Sequence, residues 1–289
     1  MTAAEAVVAL VVGVGAVLLL PLGLRLVDAP GLRPLARAWP VLGLACAVPL
    51  WLPRGPLAAG LATVYLLATL VLVGCAVARV LAVVSRVRAG GGLGADRLAG
   101  EVAVGAALVS PAVAAVALVA ERAGVELFGF DLEILALTSP HLHYAGFVAA
   151  LVAALVHRHV AGSGWARLGA WTVPAGTALV AVGHFLGAWV ELLGTVVLSA
   201  GMWAVAALVL TRVGPQVNGL WPRRGLVGSV VLLPVTMLLA LSWAVGRATG
   251  LPHLPIDWMV LTHGVGNAVG FGLCGVLAWT AVRRGEARL

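Results

Sequence analysis

The sequence predicts an all-α fold, a polytopic transmembrane helix bundle of about nine spans. Of the 289 residues, 62% are hydrophobic and only 10% are charged, and the mean hydropathy is +1.09. A soluble domain could not bury that much apolar surface. A membrane-crossing helix needs about 20 mostly apolar residues. We predict one integral membrane domain over residues 1–289, with spans at about 3–26, 39–53, 56–84, 99–121, 138–157, 167–187, 189–212, 225–247 and 256–281.

The first four spans differ in how clearly they are marked. The first follows an N-terminus with Glu5 and no basic residue, which is typical of an uncleaved anchor rather than a secretory signal. The second is the weakest, because Pro40, Pro49 and Pro53 frame a short apolar run, and a helix pair that dips back out is the alternative. The third and fourth are long runs of Ala, Val and Leu joined by the Gly-rich turn RAGGGLGADR.

The last five spans follow the longest loop, which begins near residue 121. We expect this loop to be a solvated acidic surface that carries Glu121, Glu126, Asp131 and Glu133 against Arg122. The fifth span then begins with Ser139-Pro140, a pair suited to the start of a helix. Only short turns separate the remaining spans.

The arginines predict the orientation of the bundle. All 18 basic residues are Arg. With the N-terminus outside and the C-terminus in the cytoplasm, only Arg54, Arg122 and Arg247 lie outside, as the positive-inside rule requires. This needs an odd number of spans and so supports the second one. The high net charge of +7 then reflects orientation and lipid contact, not nucleic-acid binding. The other 15 fall inside: Arg25, Arg33, Arg37, Arg79, Arg86, Arg88, Arg97, Arg158, Arg167, Arg212, Arg223, Arg224, Arg283, Arg284 and Arg288.

Tryptophan and cysteine add two smaller expectations. The three cysteines, Cys46, Cys75 and Cys274, stand singly inside spans, so we interpret them as small core residues rather than metal ligands or disulfides. All tryptophans except Trp203 lie near span ends, where the indole ring favours the headgroup level: Trp39, Trp51, Trp165, Trp171, Trp189, Trp221, Trp243, Trp258 and Trp279.

Several polar residues would lie at one depth, in the half of the membrane nearer the outside. His141 and His143 occupy the predicted first turn of the fifth span, and because they are two residues apart they should face different partners. Polar groups within a bilayer are costly and tend to face the bundle interior. We therefore predict a shared polar pocket; the alternative is that these residues only join helices by hydrogen bonds. The predicted pocket residues are His141, His143, Tyr144, His184, Glu191, His263 and Asn267. His157 and His159, by contrast, should form a solvated cluster at the inner end.

The chemistry of this pocket stays open. His141, His143, His184 and His263 could together ligate zinc or another transition metal, although no HxxxH or HExxH places two ligands on one helix face. The pocket could equally handle protons or bind a small polar solute. There is no GxSxG nucleophile motif, and GGGLG lacks the context of a phosphate loop. The alternatives are a transporter or small-ligand-binding membrane protein, a metal-dependent membrane enzyme acting on a lipid or small molecule, and a structural subunit.

Two segments resemble each other and also a known family. LTSPHLHYAGF at 137–147 aligns without gaps to LTHGVGNAVGF at 261–271, with Leu, Thr, Gly and Phe in common. Both segments resemble the YndJ-like family of bacterial multi-pass membrane proteins. The resemblance is strongest over about 130–280 and implies a plasma-membrane protein of bacterial origin, without a defined substrate; the Arg-only basic composition fits a GC-rich genome. The matching residues are His141, His143, Tyr144, Gly146 and Phe147, then Thr262, His263, Gly264, Asn267, Gly270 and Phe271.

Overall fold

The protein is a bundle of long helices. A computed structural model describes residues 2–27, 29, 31–92 and 94–286; Arg288 lies outside them. The described part contains no strand. It contains nine helices long and apolar enough to cross a membrane, which confirms the all-α prediction and the number of spans. They are α1 Ala3–Leu26, α2 Leu32–Trp51, α3 Pro56–Arg88, α4 Ala95–Ala123, α5 Leu132–His159, α6 Gly164–Leu186, α7 Ala188–Gln216, α8 Leu220–Thr249 and α9 Ile256–Gly285.

The second span is one continuous helix and is longer than predicted. It begins at Leu32 rather than at 39, with Pro40 inside it, and its last turn, Val48–Trp51, is a 3₁₀ turn that contains Pro49. The sequence pattern predicts a span that begins after Arg37, where the first uninterrupted apolar run begins. Because charged residues are tolerated in the end turns of a membrane helix, the helix itself starts earlier.

The fifth span also starts earlier, and the predicted start at Ser139-Pro140 is wrong. Asp131 caps α5: its carboxylate accepts a hydrogen bond from the Ile134 amide at 2.8 Å, and Glu133 lies in the first turn. Both acidic groups favour the positive end of the helix dipole. Ser139 and Pro140 therefore lie about two turns inside the helix. α4 extends to Ala123, so the predicted acidic loop shortens to residues 124–131.

The chain divides into two compact units. The first unit comprises Met1–Leu93 and Val104–Val148, and the second comprises Gly94–Ala103 and Ala149–Leu289. The first unit thus holds α1, α2, α3, most of α4 and the first half of α5. Its division from the second unit falls at the end of a π-helical stretch of α5, Leu142–Val148.

Within the first unit, α1 and α2 approach closely at a glycine, and α2 also carries a buried tryptophan. A Cβ added to Gly43 of α2 would lie 2.6 Å from the Ala16 carbonyl oxygen of α1, so only glycine permits this approach. Trp39 of α2 is entirely buried, and its depth at the headgroup level stays a prediction. Cys46 is buried as predicted, whereas Cys274 of the second unit is exposed.

The second unit is built around an α6–α7 hairpin with glycines seven residues apart. A Cβ on Gly176 would lie 2.6 Å from Leu198 Cα, and one on Gly183 would lie 2.5 Å from Glu191 Cα. These distances leave no room for a side chain, so the two backbones touch along the hairpin. The contact at Gly183 fixes the position of Glu191, one of the predicted pocket residues.

Candidate functional site

The most enclosed polar pair of the first unit joins α3 to α5. The hydroxyl oxygen of Tyr65 lies 2.7 Å from Nε2 of His143. Their rings are stacked, with centroids 5.9 Å apart and planes inclined by 19°. Tyr65 is 0% exposed and His143 is 1% exposed, so neither water nor lipid reaches the bond. His143 lies in the π-helical stretch of α5, about three turns into the helix rather than in its first turn.

The contacts of His143 define which nitrogen carries the proton in the neutral ring. Nδ1 lies 2.8 Å from the carbonyl oxygen of Ser139, one turn earlier. Because a carbonyl oxygen only accepts, Nδ1–H donates to it. Nε2 is then the acceptor, and the Tyr65 hydroxyl donates to it. Both nitrogens of His143 are therefore occupied, and its ring orientation is fixed from two sides.

Two further buried polar groups belong to the same cluster. The indole ring of Trp39 meets the ring of Tyr65 edge-on, with centroids 6.3 Å apart. Its Nε1 atom, and the Oγ atom of Ser139, are buried without a hydrogen-bond partner among the described residues. Buried polar atoms are normally paired, so such atoms call for an explanation. We refer to Trp39, Tyr65, Ser139 and His143 as the first-unit cluster.

Tyr144 and His141 flank this cluster on α5. The Tyr144 hydroxyl donates to the Val11 carbonyl of α1 at 2.9 Å, so it points to a different helix from its neighbour His143. Gly15 of α1 allows this approach, since a Cβ there would lie 3.3 Å from Cε2 of Tyr144. His141 is half-buried at the end of the α-helical part that precedes the π-helical stretch.

In the second unit, the predicted residues His263 and Asn267 contact each other. Nδ1 of His263 donates to the Thr236 carbonyl at 2.7 Å, and the Thr236 hydroxyl donates to Oδ1 of Asn267 at 2.8 Å. Nδ2 of Asn267 lies 3.4 Å from Nε2 of His263. Both residues lie in π-helical stretches of α9, Val260–Gly264 and Gly266–Leu273. Thr236, on α8, was absent from the sequence prediction.

The other two predicted residues of the second unit have separate partners. Glu191 is buried, and its carboxylate lies 3.9 Å from Nη2 of Arg247. His184 is exposed, and its Nδ1 hydrogen-bonds to the Val180 carbonyl one turn back on α6 at 2.9 Å. His141, His143 and Tyr144 belong to the first unit and the remaining four residues to the second, so a pocket shared by all seven stays a prediction.

The structure corrects two expectations about charged and titratable residues. Glu121 is not part of a solvated loop: it is 1% exposed, it pairs with Arg54 at 2.9 Å, and it is bound by Arg122. Arg122 also donates to the Leu52 carbonyl, at the end of α2. His157 is likewise buried rather than solvated, because its Nε2 donates to the Asp96 carbonyl at 2.7 Å within the second unit.

The candidate metal ligands can be compared with the donor sets that zinc requires. Within the part of the chain that the structure describes, no three His, Cys, Asp or Glu side chains are grouped to hold an ion. His143, one of the four candidate ligands, has its Nε2 engaged by the Tyr65 hydroxyl. The predicted metal role of the four histidines therefore gains no geometric support.

Sequence reasoning missed Tyr65, Trp39 and Thr236, and each had a different signal. Tyr65 is one of only two tyrosines in the chain and is the one aromatic hydroxyl of a 33-residue apolar helix. A buried phenol in a membrane seeks a partner, so an interior histidine was a natural one. Trp39 was masked by its closeness to the predicted span end. Thr236 carried no signal, because threonines in membrane helices commonly bond to their own backbone.

These observations define a class: a polytopic α-helical membrane protein with a buried polar cluster at segment 137–147 and a partly buried one at segment 261–271. Within that class, the profile of the YndJ-like protein family matches residues 10–271, nearly the whole chain. The chain therefore belongs to the YndJ-like family, and the match, which runs from within α1 to within α9, is not confined to the last five spans. Comparisons with curated proteins and with solved structures gave no match.

Proposed function

We propose that this membrane protein binds and transports a small polar solute, and that His143 and Tyr65 help to form the binding site. The observation that carries the proposal is the enclosed Tyr65–His143 hydrogen bond at 2.7 Å, in the motif segment of α5. Inserting polar side chains into a membrane costs free energy. A charged group at the centre of a membrane helix costs roughly 2.5–3.5 kcal/mol, and an uncharged polar group costs a part of that.

A purely structural hydrogen bond would explain the pair but not its surroundings. Such interhelical bonds contribute about 0.6 kcal/mol on average and up to about 1.7 kcal/mol. They do not account for the unpartnered atoms of Trp39 and Ser139 in the same cluster. Nor do they account for the π-helical stretches that carry both motifs, a geometry frequent at functional sites.

The hydrogen bonds of His143 favour solute binding over proton transfer. A proton relay needs a group that can accept a proton on one side and release it on the other. Nδ1–H of His143 ends on the Ser139 carbonyl, which cannot pass a proton on. The second unit supplies a similar arrangement, since Nδ1–H of His263 ends on the Thr236 carbonyl. His263, Asn267 and Glu191 belong to the second unit, and any part of theirs in binding a solute stays a prediction from the sequence.

The proposal can be tested in reconstituted vesicles. The uptake of six probes is followed by light scattering or isotope counting: glycerol, urea and acetamide as neutral solutes, and acetate, methylammonium and inorganic phosphate as ions. We expect at least one probe to enter faster than in protein-free vesicles, and expect Tyr65→Phe and His143→Phe to lower that rate several-fold. Tyr144→Phe is the matched control, because it removes a hydroxyl bonded elsewhere. Equal rates for all three variants and the unmodified protein would count against the proposal.

We also propose the plasma membrane of a bacterium as the location, with the N-terminus outside. The three arginines that this orientation leaves outside are all paired with glutamate: Arg54 and Arg122 with Glu121, and Arg247 with Glu191. The other 15 arginines then lie on the cytoplasmic side, and this excess of arginine is what the positive-inside rule favours.

Cysteine labelling tests the orientation. In a background where Cys46, Cys75 and Cys274 are alanine, a single cysteine is placed at Val125 or at Gly92. We expect an impermeant maleimide to label Val125→Cys in intact cells. Gly92→Cys should react only after the membrane is opened. The reverse pattern would place the N-terminus inside.

A further inference from the structure

We infer that the solute bound by the first-unit cluster is uncharged and offers hydrogen-bond acceptors, such as carbonyl or hydroxyl oxygens. The inference rests on the proposed function and adds the chemical class of the solute. It follows from which hydrogen-bonding atoms of the cluster are already used and which are left over.

The unused atoms of the cluster include one that can only donate a hydrogen bond. Nε1–H of Trp39 can only donate, and it has no acceptor among the described residues. The Ser139 hydroxyl, also unpartnered, can donate and accept. The Tyr65 hydroxyl gives its hydrogen to His143, so only its oxygen lone pairs remain. Both nitrogens of His143 are engaged. An acceptor oxygen is therefore what Trp39 lacks, and a hydroxyl or carbonyl group supplies one.

The charge around the cluster favours a neutral molecule. Among the described residues of the first unit, Glu121 is the buried ionic side chain, and it is already bound by Arg54 and Arg122. An ion brought to the cluster would lose its hydration and would meet no free counter-charge there. A neutral solute loses less on leaving water and regains hydrogen bonds from Trp39 and Ser139.

Because the cluster is buried, the structure corresponds to an occluded state. The same burial limits the size of the solute. Trp39, Tyr65, Ser139 and His143 are each between 0% and 1% exposed. A solute reaches them only after the surrounding helices separate, as alternating-access transport requires. A molecule of a few heavy atoms disturbs the close contacts of α1, α2, α3 and α5 least.

The experiment uses the six probes described above and removes each of the two unused hydrogen-bonding groups in turn. Trp39→Phe deletes the indole N–H but keeps an aromatic ring, and Ser139→Ala deletes the hydroxyl. We expect each to reduce uptake of glycerol, urea or acetamide at least threefold, while the three ions enter at the protein-free rate. Two matched controls make the same chemical changes elsewhere. Trp203→Phe alters an exposed ring, and Ser242→Ala alters an exposed hydroxyl bonded to its own helix.

The possible results separate the inference from the proposed function. Uptake of an ion that depends on Tyr65 and His143 would overturn the neutral class and leave the function standing. If neither Trp39→Phe nor Ser139→Ala changes the uptake rate of a neutral probe, the role given to the unused atoms is overturned. Osmotic water flow without any solute would show that the atoms hold water, and would overturn the inference. Uptake that depends on neither Tyr65 nor His143 for any probe would defeat the proposed function itself. If Trp39→Phe does not fold, Ser139→Ala decides.

Discussion

The replacement Tyr65→Phe tests whether the Tyr65–His143 pair is a strong interior hydrogen bond. The change removes the hydroxyl that donates to Nε2 of His143 at 2.7 Å and leaves the ring in place. Leaving a buried acceptor without a donor costs about 1–3 kcal/mol in proteins generally. Interhelical bonds in membranes have a lower ceiling, about 1.7 kcal/mol. Because both residues are at most 1% exposed, no water replaces the lost donor, so we expect about 1.5 kcal/mol.

A second replacement of the same kind provides the reference value. Tyr144→Phe also removes a phenolic hydroxyl, but its acceptor, the Val11 carbonyl, still receives the Gly15 amide of α1. No buried group is left unpaired, so we expect a loss near the average for membrane helices, about 0.6 kcal/mol. Reversible unfolding in mixed micelles measures both, and a double-mutant cycle with His143→Phe isolates the pair. A coupling near zero, or equal losses for the two tyrosines, would refute the reasoning.

Three further replacements test other parts of the fold by the same unfolding assay. Gly183→Ala should destabilise the protein by about 1–3 kcal/mol, because the added methyl meets the backbone of α7; Gly105→Ala, with open space around it, should not. Glu121→Gln should cost about 3–5 kcal/mol, since it strips two arginines of their shared carboxylate, whereas Glu126→Gln on the exposed loop should be neutral. Asp131→Ala should cost about 1 kcal/mol through loss of the α5 cap. The reasoning is contradicted if Gly105→Ala destabilises the protein as much as Gly183→Ala, or if Glu126→Gln does so as much as Glu121→Gln. It is also contradicted if Asp131→Ala leaves the stability unchanged.

The number of spans could be predicted from the sequence, whereas two of their starts could not. Hydropathy identifies a span reliably because a membrane admits only long apolar helices. The start of a helix depends instead on which side chain accepts the first free amides. Both Asp131 and Ser139 are suitable caps, and Ser139 has the more obvious pattern because proline follows it. Asp131 caps the helix, and the helix accommodates Pro140.

For each hydrogen-bonded pair of the candidate site, the sequence predicted one residue but not its partner. His143, His263 and Asn267 stood out because polar residues are rare in an apolar chain. Their partners Tyr65 and Thr236 did not, because a contact across 78 or 27 residues depends on how helices pack and not on local pattern. The prediction that Glu121 lies in a solvated loop was wrong for a different reason. Its charge suggested a loop, and only the three-dimensional structure shows that two arginines permit its burial.

The unused polar atoms are better tests of function than the histidines themselves. Tyr65 and His143 contribute to folding through their mutual bond, so their loss affects stability and uptake together. The Ser139 hydroxyl has no partner among the described residues and gives the folded chain no hydrogen bond in return for its burial. A group that is costly to bury and bonds to nothing in the described part of the chain calls for an explanation, and the proposed solute supplies one. The same holds for Nε1 of Trp39, but Trp39→Phe also leaves a space in the core. A loss of uptake without a loss of stability in Ser139→Ala is therefore the signature that a structural role cannot produce.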